Sequence, residues 1–121
     1  MEKVSFITAE TGDDLVLSFA VQCHNDPAEI ESLILMRTPK YEFILEEHER
    51  GVKVSFERDD TEEDDYLQKI AYDGAEAMVR IQTSSRDYEL DVRKVGTEEL
   101  KRMGAVLQRM NFDQKFETSG V

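Results

Sequence analysis

The clearest strand in this chain is the stretch Leu15-Val16-Leu17-Ser18-Phe19-Ala20-Val21-Gln22. Every odd-numbered residue from Leu15 to Val21 is large and apolar, and an alternation of this period puts all of them on one face of an extended backbone. The other face is only partly polar, because Val16 and Ala20 lie on it. A strand that is apolar on both faces belongs inside a sheet, so the stretch predicts a central strand.

Shorter runs of the same period flank this central strand on both sides. Before it, Val4 and Phe6 begin an alternation that ends at a turn around Gly12, which predicts a hairpin. After it, Asp26 and Pro27 predict at most one helical turn. Further strands are then predicted over residues 32–37, 41–46, 52–57, 75–82 and 88–93. These closely spaced runs are typical of an antiparallel meander.

Residues 61–72 fit two structures. Thr61 followed by acidic residues is typical of a helix N-terminus, and Asp65 and Lys69 stand four positions apart, as an ion pair on a helix requires. Alternatively, residues 66–72 form a strand that turns at Asp73-Gly74, a dipeptide that favours hairpins when it lies between apolar runs. We favour the hairpin.

The last third of the chain predicts one amphipathic helix. Thr97 is the expected N-cap, and acidic residues follow it in the first turn. One apolar stripe at helical spacing is formed by Leu100, Met103, Leu107 and Met110. We hypothesise that Gly104 lets this helix approach the sheet closely, and that residues 113–121 fray.

The sequence therefore predicts an α+β fold in a single domain, residues 1–121. Seven or eight short strands form the antiparallel meander, which is curled or barrel-like, and the C-terminal α-helix packs on it. A chain of this length buries enough surface for one core without disulfides.

Acidity limits the classes of partner. Asp and Glu number 27 against 15 Lys and Arg, which gives a net charge of -12 on 121 residues. A field of this sign repels nucleic acid and anionic membranes and attracts basic proteins. One cysteine, Cys23, fits a reducing compartment, and no apolar stretch has the length of a signal peptide or membrane span. We expect a cytoplasmic protein that binds neither nucleic acid nor membranes.

Much of the negative charge lies in one run, and we predict that this run contacts a basic partner. Its acidic members are Glu57, Asp59, Asp60, Glu62, Glu63, Asp64 and Asp65. A calcium site is the competing interpretation, but residues 57–65 lack the glycine and the ligand spacing of a calcium loop. A solvated charged loop is the plainer alternative.

Catalytic and cofactor motifs are absent from the sequence. Cys23 and His24 are adjacent rather than spaced as zinc ligands, and no G-x-S-x-G motif or glycine-rich phosphate loop occurs. Five basic residues in the middle of the chain alternate with glutamates, which opposes a nucleic-acid surface; they are Arg37, Lys40, Arg50, Lys53 and Arg58. We predict no catalytic residues, no metal and no cofactor.

Three functions remain, and the leading one is a non-enzymatic acidic interaction domain. Its most concrete version is an inhibitor, an immunity-type protein or a regulator that binds a basic partner. The second is a small-molecule-binding module in a curled sheet, with a pocket lined by Tyr41, Tyr66, Tyr72 and Tyr88. The third is an enzyme, which would need His48 or Cys23 in a cleft beside carboxylates.

Overall fold

The computed structural model describes residues 1–58 and 64–121, which form one curled sheet and one long helix. The strands are β1 (Glu2–Thr11), β2 (Leu15–Gln22), β3 (Ile30–Arg37), β4 (Lys53–Phe56), β5 (Leu67–Asp73), β6 (Met78–Thr83), β7 (Asp87–Asp91) and β8 (Glu117–Ser119). Helix α1 spans Thr97–Met110, and two short 3₁₀ helices span Pro39–Ile44 and Glu47–Glu49. The predicted α+β class is confirmed.

The sheet is mixed rather than wholly antiparallel, which corrects the predicted meander. Its strand order is β4-β3-β2-β1-β7-β6-β5-β8, and the β1–β7 and β5–β8 pairs are parallel. The sheet is open, so it is not a closed barrel. It is curled, because an isolated bridge joins Lys53 to Tyr66, with Val54 N–H donating to the Asp65 carbonyl oxygen at 2.8 Å.

The core lies between the concave face of the sheet and α1. The four alternating residues of β2 are buried as predicted, with Leu17, Phe19 and Val21 at 0% exposure. The helix contributes Met103, Val106, Leu107 and Met110 to the same core, while Leu100 is partly buried. Each such side chain stabilises the fold by roughly 1.5–3 kcal/mol. The predicted apolar stripe is therefore the face that holds the helix on the sheet.

The alternation of β1 is interrupted, and this puts Phe6 on the opposite face from Val4. The register with β2 shifts between Val4, which pairs with Val21, and Phe6, which pairs with Ala20. A bulge of this kind adds one residue to a strand and reverses its faces. Ile7 is consequently buried at 4% exposure, while Phe6 is 42% exposed.

The start of α1 is tied to this bulged strand by Glu99. One carboxylate oxygen of Glu99 accepts the Gly96 N–H at 3.1 Å, and the other accepts the Ile7 N–H at 2.9 Å. Gly96, rather than the predicted Thr97, is the N-cap residue. Glu99 therefore fixes the position of the helix N-terminus on β1 while it satisfies two backbone donors.

The C-terminal part differs from two expectations. A Cβ at Gly104 would meet only the Val121 carbonyl carbon, at 3.9 Å, so close packing on the sheet does not require glycine there. The tail does not fray over its whole length, because Phe116 is buried and β8 pairs with β5.

The prediction of a single domain stays a prediction.

Two further segments test the predicted pattern. The hairpin favoured for residues 66–82 is confirmed as β5 and β6, which pair antiparallel across a turn at residues 74–77. The strand predicted over 41–46 is wrong, because this segment lies in and after the first 3₁₀ helix. Pro39 begins that helix, and its missing N–H and fixed φ suit a first helical position.

Candidate functional site

Arg37, at the end of β3, organises a buried ion network. Its side chain is 0% exposed, and its guanidinium donates to both carboxylate oxygens of Glu42 at 2.8 Å. It also donates to both carboxylate oxygens of Asp113, at 2.8 and 2.7 Å, and to the Met110 carbonyl oxygen at 2.7 Å. Arg37 thereby joins β3, the first 3₁₀ helix and the end of α1.

The charges of this network support one another. Burial opposes the charge of Arg37, but its hydrogen bonds to Asp113 and Glu42 outweigh this effect and raise the pKa of Arg37. The hydrogen bond from Arg37 holds the pKa of Asp113 below its ordinary value. Both shifts favour the charged forms of Arg37 and Asp113, and removal of Arg37 would leave the buried Glu42 side chain without its partner.

Four exposed apolar side chains lie on the segments that this network joins, and we call them the aromatic patch: Tyr41, Phe43 and Ile44 of the first 3₁₀ helix, and Phe112 after α1. Phe43 is 77% exposed, Ile44 is 69% exposed and Phe112 is 58% exposed. The Phe112 ring lies against the Arg37 guanidinium, 4.2 Å from ring centroid to Cζ. Because buried Glu42 is anchored on Arg37, its neighbours Tyr41 and Phe43 are held at the surface.

Acidic residues border the aromatic patch, and we call them the acidic rim: Asp13, Asp14, Glu46, Glu47 and Glu49. The β1–β2 turn is held beside the first 3₁₀ helix by Thr38, whose hydroxyl donates to Asp14 at 2.6 Å, and by a Lys40–Asp13 ion pair of 3.3 Å. Lys115, from the C-terminal segment, lies 3.7 Å from Glu47. Carboxylates of two segments, the β1–β2 turn and residues 46–49, therefore lie next to the first 3₁₀ helix.

The predicted acidic run is only partly described. Asp59, Asp60, Glu62 and Glu63 lie outside the described residues. Glu57 is exposed and accepts the Ser32 N–H at 2.9 Å, and exposed Asp64 lies 3.5 Å from the ammonium of Lys53. The end of the run adjoins the acidic rim, since the Tyr66 hydroxyl donates to the Glu49 carbonyl oxygen at 3.3 Å.

Asp65 is engaged within the protein. It accepts hydrogen bonds from the Thr83 and Ser84 hydroxyls at 2.6 Å and from the Ser85 N–H at 3.1 Å. Burial disfavours its charge, but these hydrogen bonds outweigh burial and lower the pKa of Asp65. Its carboxylate stabilises the turn between β6 and β7, a role that the sequence did not reveal.

Cys23 and His24 lie in a second arginine cluster. Arg58 donates to Glu2 at 2.6 Å and to Glu31 at 3.2 Å. The Cys23 thiol donates to Glu31 at 3.2 Å, and this hydrogen bond, followed by burial, raises the pKa of Cys23. A raised pKa keeps the thiol protonated, which makes it a poor nucleophile. His24 lies 3.2 Å from Glu2 and is exposed.

The described residues hold no cluster of three or more His, Cys, Asp or Glu side chains arranged to bind a metal ion.

The tyrosines proposed for a pocket are dispersed. Tyr88 packs edge-on against Phe56 at 5.8 Å between ring centroids. Tyr72 borders a solvent-open groove of about 510 Å³ between α1 and the C-terminal residues. Tyr41 belongs to the aromatic patch, and Tyr66 contacts Glu49.

Comparisons with known proteins leave the site to be interpreted on its chemistry alone. No protein-family model, curated protein or solved structure matches this chain. Within the described part of the chain, no helix is both long and apolar enough to cross a membrane.

Sequence reasoning missed the aromatic patch. One signal was present in β3. Arg37 follows Leu33 and Leu35 at every second position, and these positions face inward, so the alternation places the arginine side chain in the core. A buried arginine requires carboxylate partners. Nothing in the sequence indicated that these partners are Glu42 and Asp113.

Proposed function

We propose that this protein is a non-enzymatic interaction domain that binds a basic protein through the aromatic patch and the acidic rim. An inhibitor, an immunity-type protein or a regulator fits this description. The observation that carries the proposal is the exposure of Phe43 and Ile44 above a buried ion network. Clustered exposed apolar residues mark interaction sites, and rigidly held aromatic residues are frequent binding hot spots.

The basic character of the partner follows from the charges around the patch. All five residues of the rim are exposed, in addition to the overall charge of -12. Such a field accelerates encounter with a cationic protein and fixes its orientation. The predicted contacts of the acidic run, apart from the engaged Asp65, would extend this field. A cytoplasmic location accompanies the proposal and is supported by the single cysteine.

The apolar part of the proposal is tested by affinity capture from the source cells. The bait is the full chain, as wild type, as Phe43→Ser and as Ile30→Ser. Ile30 is a matched control, because it is 43% exposed and lies outside the aromatic patch. We expect a basic protein that binds the wild type and the control, is lost with Phe43→Ser, and is released by high salt. Identical captures with all three baits would contradict the proposal.

The electrostatic part is tested on the association rate with the captured protein. A triple variant, Glu46→Lys, Glu47→Lys and Glu49→Lys, reverses the larger side of the rim. Its control carries the same change of charge elsewhere on the exposed surface: Glu29→Lys, Glu76→Lys and Glu117→Lys. We expect the rim variant to lower the association rate by about tenfold more than the control at low salt. Equal rates would exclude the rim from the encounter surface.

A further inference from the structure

Among the residues that the structure describes, the centre of the convex face of the first four strands carries no charge. The register places Val16 beside Met36 in one cross-strand row and Ser18 beside Ile34 in the next. These rows continue into β1 and β4. We call the resulting surface the neutral face; it consists of Phe6, Thr8, Val16, Ser18, Ser32, Ile34, Met36 and Ser55. Phe6 and Met36 are each 42% exposed on it.

The other half of the same sheet shows what is usual for this chain. The convex side of β5, β6 and β7 carries exposed Lys69, Arg80, Asp87 and Glu89, with Arg80 directly opposite Glu89. Charged residues make up 35% of the sequence. A sheet face of eight uncharged residues with an apolar centre therefore departs from the rest of the surface, and such departures mark interaction sites.

We infer that the neutral face binds the neutral face of a second copy of this chain. The charges at its border favour this occupant. The row of Val16 and Met36 ends in Glu10 on β1 and in Lys53 on β4, whose ammonium also lies 3.5 Å from Asp64 of its own chain. When two copies stack about a two-fold axis parallel to the strands, β1 of each copy lies over β4 of the other. The Glu10 side chain of each copy then faces Lys53 of the other copy, which gives two equivalent ion pairs. The uncharged residues of the two copies meet between these pairs.

The overall charge supports the same choice of surface. Two copies that each carry a charge of -12 repel one another, and the repulsion at contact is smallest where no carboxylate faces a carboxylate. Packing of two sheets face to face is a common way to bury such surfaces. A dimer made through this face also leaves the aromatic patch, on the 3₁₀ segment, for a different partner.

The size of the neutral face predicts a weak dimer. Four strands about 4.8 Å apart and about six residues long at about 3.4 Å each give a flat area of roughly 400 Å² per copy. Stable interfaces bury about 1,200–2,000 Å² over both partners, so two such faces, with roughly 800 Å² together, fall below that range, where weak and transient contacts are found. We expect a dissociation constant on the order of 100 µM.

Sedimentation equilibrium of the full chain over ~10–500 µM tests this inference. The expected mass rises from 14.0 kDa towards twice that value. Met36→Glu should keep the protein monomeric, whereas Ile44→Glu, which loses an apolar residue and adds the same charge on the aromatic patch, should dimerise like wild type. A wild type that remains monomeric at ~500 µM, or equal effects of the two variants, would overturn the inference.

An exchange of charges between two exposed residues tests the relative orientation of the two copies without changing the core. Glu10→Lys and Lys53→Glu should each weaken the dimer by about threefold to tenfold, because like charges then face each other. The double variant should restore wild-type association. Additive weakening in the double variant would exclude the two-fold arrangement. These tests are independent of the proposed function, since none requires the basic partner.

Discussion

Two arginines in the described part of the chain, Arg37 and Arg58, each bridge two carboxylates, and the surroundings of the two clusters differ. The Arg37 side chain is 0% exposed and binds both of its carboxylate partners through two hydrogen bonds each. The Arg58 side chain is 28% exposed and binds Glu2 and Glu31 through fewer, partly longer contacts. Similar residues thus perform different tasks, because solvent screens the guanidinium of Arg58 and is excluded from that of Arg37.

The comparison is tested most strongly by Arg37→Met. This change leaves Glu42 buried without its partner, and we expect a loss of about 3–5 kcal/mol in the free energy of unfolding. Urea denaturation followed by circular dichroism measures it. A loss below that of Arg58→Met would reverse our ranking of the two clusters.

A second prediction separates the loss of attraction from the burial of an unpaired charge. The triple variant Arg37→Met, Glu42→Met and Asp113→Leu removes all three charges together. We expect it to recover most of the stability that Arg37→Met loses, because an apolar cluster of similar volume is often as stable as a buried ion network. The same urea titration applies. A triple variant no more stable than the single one would show that the hydrogen bonds themselves stabilise the site.

The dependence of stability on pH also distinguishes the two clusters, because each contains a carboxylate with a lowered pKa. The pKa values of Asp113 and Glu31 are both lowered in the folded protein, Asp113 chiefly by Arg37 and Glu31 chiefly by Cys23 and then Arg58. Their stabilisation is complete above the unfolded pKa values of about 4 and is lost as the pH falls through the lower folded values. We expect Asp113→Asn to flatten the pH dependence of the free energy of unfolding more than Glu31→Gln does, measured from pH ~7 to ~2.5.

The smallest expected effect belongs to the exposed cluster. Arg58→Met should change the free energy of unfolding by no more than about 1 kcal/mol. The change should shrink further in ~1 M salt, where screening reaches within about 3 Å. Thermal unfolding at low and high salt measures both. A large, salt-independent loss would mean that Arg58 is as important to the fold as Arg37.

The sequence predicted those parts of the fold that depend on one local period. The alternation in β2 and the apolar stripe of α1 each identify a buried face without knowledge of a partner. Residues 41–46 were misassigned because their side chains also alternate. Within this segment the Glu42 side chain points into the protein, because it accepts hydrogen bonds from Arg37 at the end of β3.

Features that depend on contacts between distant segments could not be predicted from local sequence patterns. The bulge at Val4 and Phe6 appears only in the register with β2. The parallel pairing of β1 with β7 joins residues that local patterns cannot relate. For the candidate site, the sequence indicated an acidic surface but neither the aromatic patch nor the use of Asp65 in a turn, because side-chain partners are set by tertiary contacts.

The parallel pairing of β1 with β7 has a consequence for how the chain is made. Glu2 pairs with Leu90, so the middle of the sheet is completed only after most of the polypeptide exists. At synthesis rates of about 5–20 residues per second, the free side of β1 waits several seconds on the ribosome for its neighbour. Premature pairing with another nascent chain is therefore a hazard that the cell must manage during the synthesis of this protein.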